Sequence, residues 1–172
     1  MKQWVDVMLS YLPKTAAILE LGSAHGRDAD YIESLGYKIY RTDAVKAFVD
    51  YLQAKNHDAS VLNAIDGKYP KNQDAIYANA VFLHFTIQEL HKVMDNIRTS
   101  FVDDGILGFS VKIGEGDKWT KSKIDSPRYF QYWKENELRA FLKEHHFDVI
   151  FFETGTTGHD NSDWYHVIAR SV

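Results

Sequence analysis

Residues 17–28, A-I-L-E-L-G-S-A-H-G-R-D, constrain the fold of this chain more than any other stretch. An apolar run over 16–21 stops at a turn of small residues, and a helical pattern follows over 28–35. Strand, small-residue turn and helix together form the edge of an open α/β sheet at which nucleotide-like ligands are held. Small residues let a ligand approach the backbone, and the helix N-terminus offers free N–H groups with partial positive charge. The spacing is specific. A dinucleotide fingerprint wants G-x-G-x-x-G. Here Gly22, Ala24 and Gly26 make G-x-A-x-G, Arg27 follows, and Glu20 stands at the strand end.

The rest of the chain carries the same alternation of strand and helix. An amphipathic helix over 3–12 precedes the first strand, and the first crossover helix, over about 27–35, ends at Gly36, a C-cap position. The pattern then predicts a strand at 37–41, a helix at 45–54, and short strands at 60–62 and 74–78. Thr86 and Glu89 form a capping box for a helix that runs to about Ser100. Residues 103–105, D-D-G, read as a turn before a strand at 106–113, and 114–128 read as an irregular loop. A helix at 134–145 and strands at 147–152 and 163–170 complete the chain. The ten residues 153–162 hold Gly155 and Gly158 and no helical period. A parallel crossover needs a dozen or more residues, usually helical, so the last two strands are expected to pair as an antiparallel hairpin.

With 172 residues the chain is expected to be one domain, 1–172, with a sizeable core. Its net charge of −4 gives no electrostatic reason to propose a nucleic-acid backbone as partner. No apolar run reaches the length of a membrane span, and Met1-Lys2-Gln3-Trp4 does not open a signal peptide. Cysteine is absent, which excludes thiolate chemistry. A cytoplasmic protein is the expectation.

In order and spacing these elements resemble the class I S-adenosylmethionine-dependent methyltransferases, in particular a bacterial branch that acts on small molecules. Leu12-Pro13, I-L-E-L-G at 18–22, G-R-D at 26–28 and Gly36-Tyr37 resemble the first motif and its flanks. D-A-I-Y-A-N-A at 74–80 resembles the fourth motif, with Phe82-Leu83-His84 behind it. R-Y-F-Q-Y at 128–132, E-N-E-L at 135–138 and W-Y-H-V-I-A-R at 164–170 resemble later segments. The resemblance covers nearly the whole chain. It implies a Rossmann-like three-layer α/β sandwich, whose mostly parallel seven-stranded sheet ends in an antiparallel hairpin. It also implies S-adenosylmethionine as cofactor, S-adenosylhomocysteine as product and a small-molecule acceptor.

The chain departs from the family at three places. Ala24 replaces the usual second glycine, which is tolerated at negative φ and costly at positive φ. Asn63-Ala64 stands where relatives carry Asp-Ala beside the adenine, and the N-terminal lid is reduced to one helix.

The resemblance assigns the cofactor to Glu20, Gly22, Ser23, Ala24, His25, Gly26, Asp28, Asp43, Ala44, Asn63, Ala64, Asn79 and Ala80. Asp43 lies 21 residues beyond Gly22, at the end of the second strand, and suits the ribose hydroxyls. Asp43 is expected to lie at the surface of the ligand-free fold. Glu20 either meets the cofactor's amino group or holds the glycine turn, and Asp28 either caps or charges the first turn of its helix or contacts the cofactor. His84 is the candidate general base. Arg128, Tyr129 and Tyr132 are the candidate substrate wall, with Arg128 pairing an anionic group. Methyl transfer requires no metal, and the eight histidines show no zinc-ligand spacing; His145-His146 is expected to sit at a helix C-terminus. Two rivals are weighed. One is a domain that binds the cofactor without turnover; the other is an NAD(P)-dependent oxidoreductase, disfavoured by Arg27 and the hairpin end.

Overall fold

The computed structural model describes residues 3–121, 126–156 and 163–172. Met1-Lys2, part of the 114–128 loop and the turn between the last two strands, Gly158 included, lie outside the described residues. The elements run α1 (Gln3–Ser10), β1 (Ala17–Leu21), α2 (Arg27–Ser34), β2 (Lys38–Asp43), α3 (Lys46–Ala54), β3 (Ala59–Val61), β4 (Gln73–Ala78), a 3₁₀ turn (Phe82–His84), α4 (Ile87–Ser100), β5 (Phe101–Ile113), β6 (Asp117–Thr120), β7 (Arg128–Trp133), α5 (Glu135–Glu144), β8 (Phe147–Thr156) and β9 (Asp163–Ser171).

Seven strands form the frame in the order β3-β2-β1-β4-β5-β9-β8. The first five pair in parallel, and β9 lies antiparallel between β5 and β8. The terminal hairpin expected from the short 153–162 connection is present. The sheet buries both faces, which is why its strands read as nearly continuous apolar runs. Leu19, Leu21, Ile76 and Leu107 pack under α4 and α5. Ile18, Ala75, Tyr77 and Ile106 pack under α1 and α2. Chain order reverses on either side of β1, between β2 and β4, and this switch point opens a crevice at the carboxyl edge.

Besides β8, which runs past its expected end at 152 to Thr156, two boundaries differ from the sequence expectation. The D-D-G turn is absorbed into β5: Asp104 takes a left-handed φ of 61°, and the register against β4 shifts there, so the strand kinks and continues. The 114–128 segment is only partly irregular. β6 and β7 form an antiparallel ribbon with Lys118 opposite Phe130 and Thr120 opposite Arg128, which brings the sheet to nine strands. Lys112 pairs with Tyr132 on one side and with Trp164 on the other, so β7 occupies the place beside β5 that β4 leaves free beyond Ala78. The charged residues along the segment and the two glycines before it hid this ribbon in the sequence.

One ion pair fixes the helix that faces the crevice. Arg41 on β2 is 1 % exposed. Its guanidinium donates to Glu33 at 2.8 and 2.9 Å and to Asp30 at 2.8 Å, both on α2. The fork and its buried stem bind α2 to the sheet through packing as well as charge. Arg41→Ala is expected to lower unfolding free energy by about 3 kcal/mol, read from urea denaturation; a change within about 0.5 kcal/mol, as for an ordinary surface site, would refute this anchoring role.

Candidate functional site

The turn between β1 and α2 is held by buried hydrogen bonds. Gly22, Ala24 and Gly26 all have left-handed φ, at 73°, 46° and 81°. A Cβ on Gly22 would come within 2.6 Å of Val81, so glycine is required there for space as well as conformation. Ser23 lies between the strands. Its N–H donates to the Thr42 carbonyl at 2.9 Å, its hydroxyl donates to Glu20 at 2.5 Å, and the same oxygen accepts from the Thr42 N–H at 3.1 Å. The Thr42 hydroxyl closes the knot on the Glu20 carbonyl at 2.6 Å.

Ala24 takes the positive φ that an alanine resists, at a cost of about 1–2 kcal/mol. Its N–H donates to Asp43 Oδ2 at 2.9 Å, while Asp43 Oδ1 accepts from Val45 N–H at 2.8 Å. Asp43 is thus 7 % exposed rather than a surface residue. This corrects the expectation, because a carboxylate that ends a strand beside a tight turn is drawn in by the turn's own N–H groups.

Glu20 is 3 % exposed. Burial pushes its carboxyl up to about 7, against the Ser23 hydrogen bond that favours the ionised form. Asp28 does not cap α2. Its Oδ2 accepts from Asn79 at 2.6 Å and from the Tyr77 hydroxyl at 3.2 Å. Asn79 in turn accepts from Ser110 at 2.6 Å, and Ser110 accepts from the Ala80 N–H at 2.9 Å. This chain of bonds ties α2, β4 and β5 together, and Ala80 at its end carries a left-handed φ of 57°.

Three adjoining clefts follow the carboxyl edge. The first, about 340 Å³, is lined by Glu20, residues 22–25, Arg27, Asp28, Asn79 and Ala80. The second, about 290 Å³, shares Arg27, Asp28, Asn79 and Ala80 with it and is walled by Trp4, Tyr31, Trp164 and His166. The third, about 440 Å³, begins at Ala80 and is lined by His84, Lys112, Lys118, Arg128, Phe130 and Tyr132 among others. Ala80 borders all three. Gly26 begins α2 behind the first cleft. The His25 ring turns aside onto Phe48 and Tyr51. Ala44 and Asn63 are exposed at the ends of β2 and β3, where Leu62 N–H reaches the Asp43 carbonyl at 3.0 Å; Ala64 is buried beside them.

His84 Nδ1 lies 3.0 Å from the Tyr129 carbonyl. A carbonyl only accepts, so Nδ1 carries the proton and Nε2 is left as the basic nitrogen. Burial lowers the pKa of His84 below its ordinary value, and the nearby charges of Arg128 and Lys112 lower it further. Arg128 and Tyr132 line the third cleft, but Tyr129 does not. Strand alternation turns its ring to the opposite face of the ribbon, against Trp119, so the expected wall residue contributes its carbonyl instead.

Sequence reasoning missed Ser110, Trp4, Lys112, Lys118, Trp164 and His166. Ser110 left one signal, a polar residue inside the apolar run of β5; the rest are brought in by register alone. Away from the clefts, His91 Nδ1 and His145 Nε2 meet at 2.8 Å, with Glu144 within reach. That is a hydrogen-bond separation, shorter than the roughly 3.3 Å between two nitrogens on one tetrahedral zinc at ordinary bond lengths.

Because Asp43 satisfies two backbone N–H groups, Asp43→Ala is expected to lower the stability of the ligand-free protein by about 2–4 kcal/mol. Asp43→Asn, which keeps one acceptor oxygen, should lose less. Equal stability of Asp43→Ala and the parent in urea would mean that these bonds do not hold the turn.

A family model for the methyltransferase domain matches residues 1–159. No curated protein matches the sequence. Among solved structures, an S-adenosylmethionine-dependent methyltransferase from Methanosarcina mazei superposes with a TM-score of 0.85 at 15 % identity, over 96 % of this chain and 97 % of that one. A 1,6-didemethyltoxoflavin-N1-methyltransferase from Burkholderia thailandensis, with 1,6-didemethyltoxoflavin and S-adenosylhomocysteine bound, gives 0.81 at 16 % identity, over 99 % and 77 %. TehB from Haemophilus influenzae gives 0.73 at 17 % identity, over 100 % and 62 %. With a glycine turn buttressed by Glu20 and a sheet that ends in an antiparallel hairpin, the chain belongs to the methyltransferase-domain family.

Proposed function

We propose that the whole chain, 1–172, is a cytoplasmic enzyme that transfers a methyl group from S-adenosylmethionine to a small-molecule acceptor. The observation that carries the reading is the adjacency of two clefts: the cleft over the glycine turn and the third cleft share Ala80 in their linings. When bound, S-adenosylmethionine supplies a methyl group on a positively charged sulfur. The residues fit such a cation. Glu20 and Asp28 both line the first cleft, and Gly22 leaves the backbone bare. Glu20 is the acceptor for the amino group and Arg27 the partner for the carboxylate of the amino-acid end. Asp43 keeps lone pairs for the ribose hydroxyls, since each carboxylate oxygen accepts more than one bond. Ala44, Asn63 and Ala64 border the place for the base.

His84 takes the acceptor's proton on Nε2. Its lowered pKa keeps it neutral at physiological pH, which a base needs. The Burkholderia structure, with a small heterocycle and S-adenosylhomocysteine bound, supports a small-molecule acceptor. Among the described residues no helix is long and apolar enough to cross a membrane.

Titration of S-adenosylhomocysteine by calorimetry tests the cofactor reading, and Glu20 gives it a pH signature. The folded pKa of Glu20 is raised from 4.5 to about 7. The folded state therefore holds this proton more tightly, and the stability it confers is complete below about pH 4.5 and lost as pH rises through 7. Glu20→Gln should raise the melting temperature at pH 8 and leave it unchanged near pH 4.5. The same variant should bind S-adenosylhomocysteine about tenfold more weakly at pH 8. An unchanged affinity would place the amino group elsewhere.

His84→Gln should reduce turnover about a hundredfold and abolish its acid limb, with cofactor affinity intact. Turnover is read as S-adenosylhomocysteine release with a panel of small nucleophiles. A variant that melts earlier but turns over normally would make His84 a packing residue.

A further inference from the structure

The third cleft is built for negative charge. Alternate residues of the β6–β7 ribbon, Lys118, Arg128, Phe130 and Tyr132, share its inner face. Lys112 enters from β5. Each cation lies over an aromatic ring. Lys112 Nζ lies 5.4 Å from the Phe130 ring centroid and 5.3 Å from that of Trp164. Lys118 Nζ lies 5.2 Å from Tyr132, and the Arg128 guanidinium 5.4 Å from Phe130. Arg128 Nε is buried and has no hydrogen-bond partner among the described residues. A buried donor of this kind is costly unless a ligand accepts from it.

No carboxylate is among the described residues that line the cleft. Three acids on the surrounding elements, among the described residues, are engaged elsewhere. Glu89 caps α4 through Thr86, Glu115 pairs with Lys134, and Asp117 points to the ribbon's other face, since its neighbour Lys118 points in. Three cations therefore converge on a space of about 440 Å³, enough for a small ligand, in a chain whose net charge is −4. The rings beneath them form flat apolar walls.

We infer that the acceptor is a small, flat, unsaturated molecule that carries an oxyanion, a carboxylate or a phosphate, which Arg128 and Lys118 bind in the third cleft while its nucleophilic atom faces Ala80 and His84. The inference rests on the proposed methyl transfer and specifies its substrate class. It assigns Lys118, which lies outside the motifs of the sequence, to substrate binding.

The test uses protein saturated with S-adenosylhomocysteine and three probes of similar shape: 4-hydroxybenzoate, 4-hydroxyphenyl phosphate and the neutral 4-hydroxybenzamide. Affinities are read by protein-observed NMR at low and at raised salt. The oxyanion probes should bind at least tenfold more tightly than the amide, and the margin should shrink with salt. The tighter of the two anions tells carboxylate from phosphate. Arg128→Gln should cut the anion preference about tenfold with S-adenosylhomocysteine affinity unchanged. Lys118→Gln, at an exposed position, gives the same readout if the first variant folds poorly. Equal binding of amide and anions, no binding of either anion, or anion binding that survives both substitutions overturns the inference. Failure of S-adenosylhomocysteine itself to bind is a separate result, and it overturns the cofactor reading instead.

Discussion

The site depends on one buried knot, in which Ser23 joins the ends of β1 and β2. Its hydroxyl donates to Glu20 and accepts from Thr42, and its N–H is taken up by the Thr42 carbonyl. Each of these groups is buried, so each bond, if broken, would leave a polar atom without water. The turn over 22–26 is thereby fixed before any ligand arrives, and with it the direction of α2. Glu20 has a mixed role in consequence. Its carboxyl buttresses the turn from within the fold and also borders the first cleft. The two alternatives read from the sequence, amino-group acceptor or turn holder, are not exclusive. One oxygen serves Ser23, and the charge that burial suppresses becomes favourable when a cation enters.

Strain sits on both banks of the crevice. Of the non-glycine residues with left-handed φ, Ala24 and Ala80 both line the first cleft, while Asn56, Asn72, Asp104 and His146 lie outside its lining. Each strained alanine has its N–H captured by a side chain: Ala24 by Asp43, Ala80 by Ser110. A backbone held in a costly conformation by specific side chains is the expected form of a preorganised binding edge. Substitution of Ala24 for the family's glycine thus does not loosen the turn. The Ala24 N–H is held by Asp43, which the turn's backbone donors draw inward.

The frame of the fold was legible because its signals are local. Capping at Thr86, the apolar runs of β1 and β4 and the missing crossover before β9 are each written in a few consecutive residues. The glycine turn was legible for the same reason. What stayed hidden was set by register or by distance. The β6–β7 ribbon shows only weak alternation, since its inward residues mix Lys118, Thr120 and Arg128 with Phe130 and Tyr132. Tyr129 was misassigned because aromatic character does not say which way a strand residue faces; one step of register separates it from Phe130 and Tyr132. Ser110 and Asn79 are joined across 31 positions of chain by one hydrogen bond. Arg41, a charged residue in a strand, gave no hint that it would be among the most buried side chains.

The net charge of the chain speaks to the surface as a whole and not to any one cleft. At −4 it argues against a polyanion spread over the whole surface. It says nothing about a cleft a few ångströms wide, where field is set by the handful of groups that converge there. Glu20, Asp28 and Arg27 line the first cleft, and Lys112, Lys118 and Arg128 line the third, on the other side of Ala80. The two ends are kept apart by neutral residues, Asn79, Ala80 and Leu83, so the opposite charges do not collapse into ion pairs with one another. In the proposed reaction, clefts lined in this way hold the cofactor and the acceptor head to head. Orientation of that kind, rather than acid–base strength alone, is the contribution a protein makes to a direct displacement.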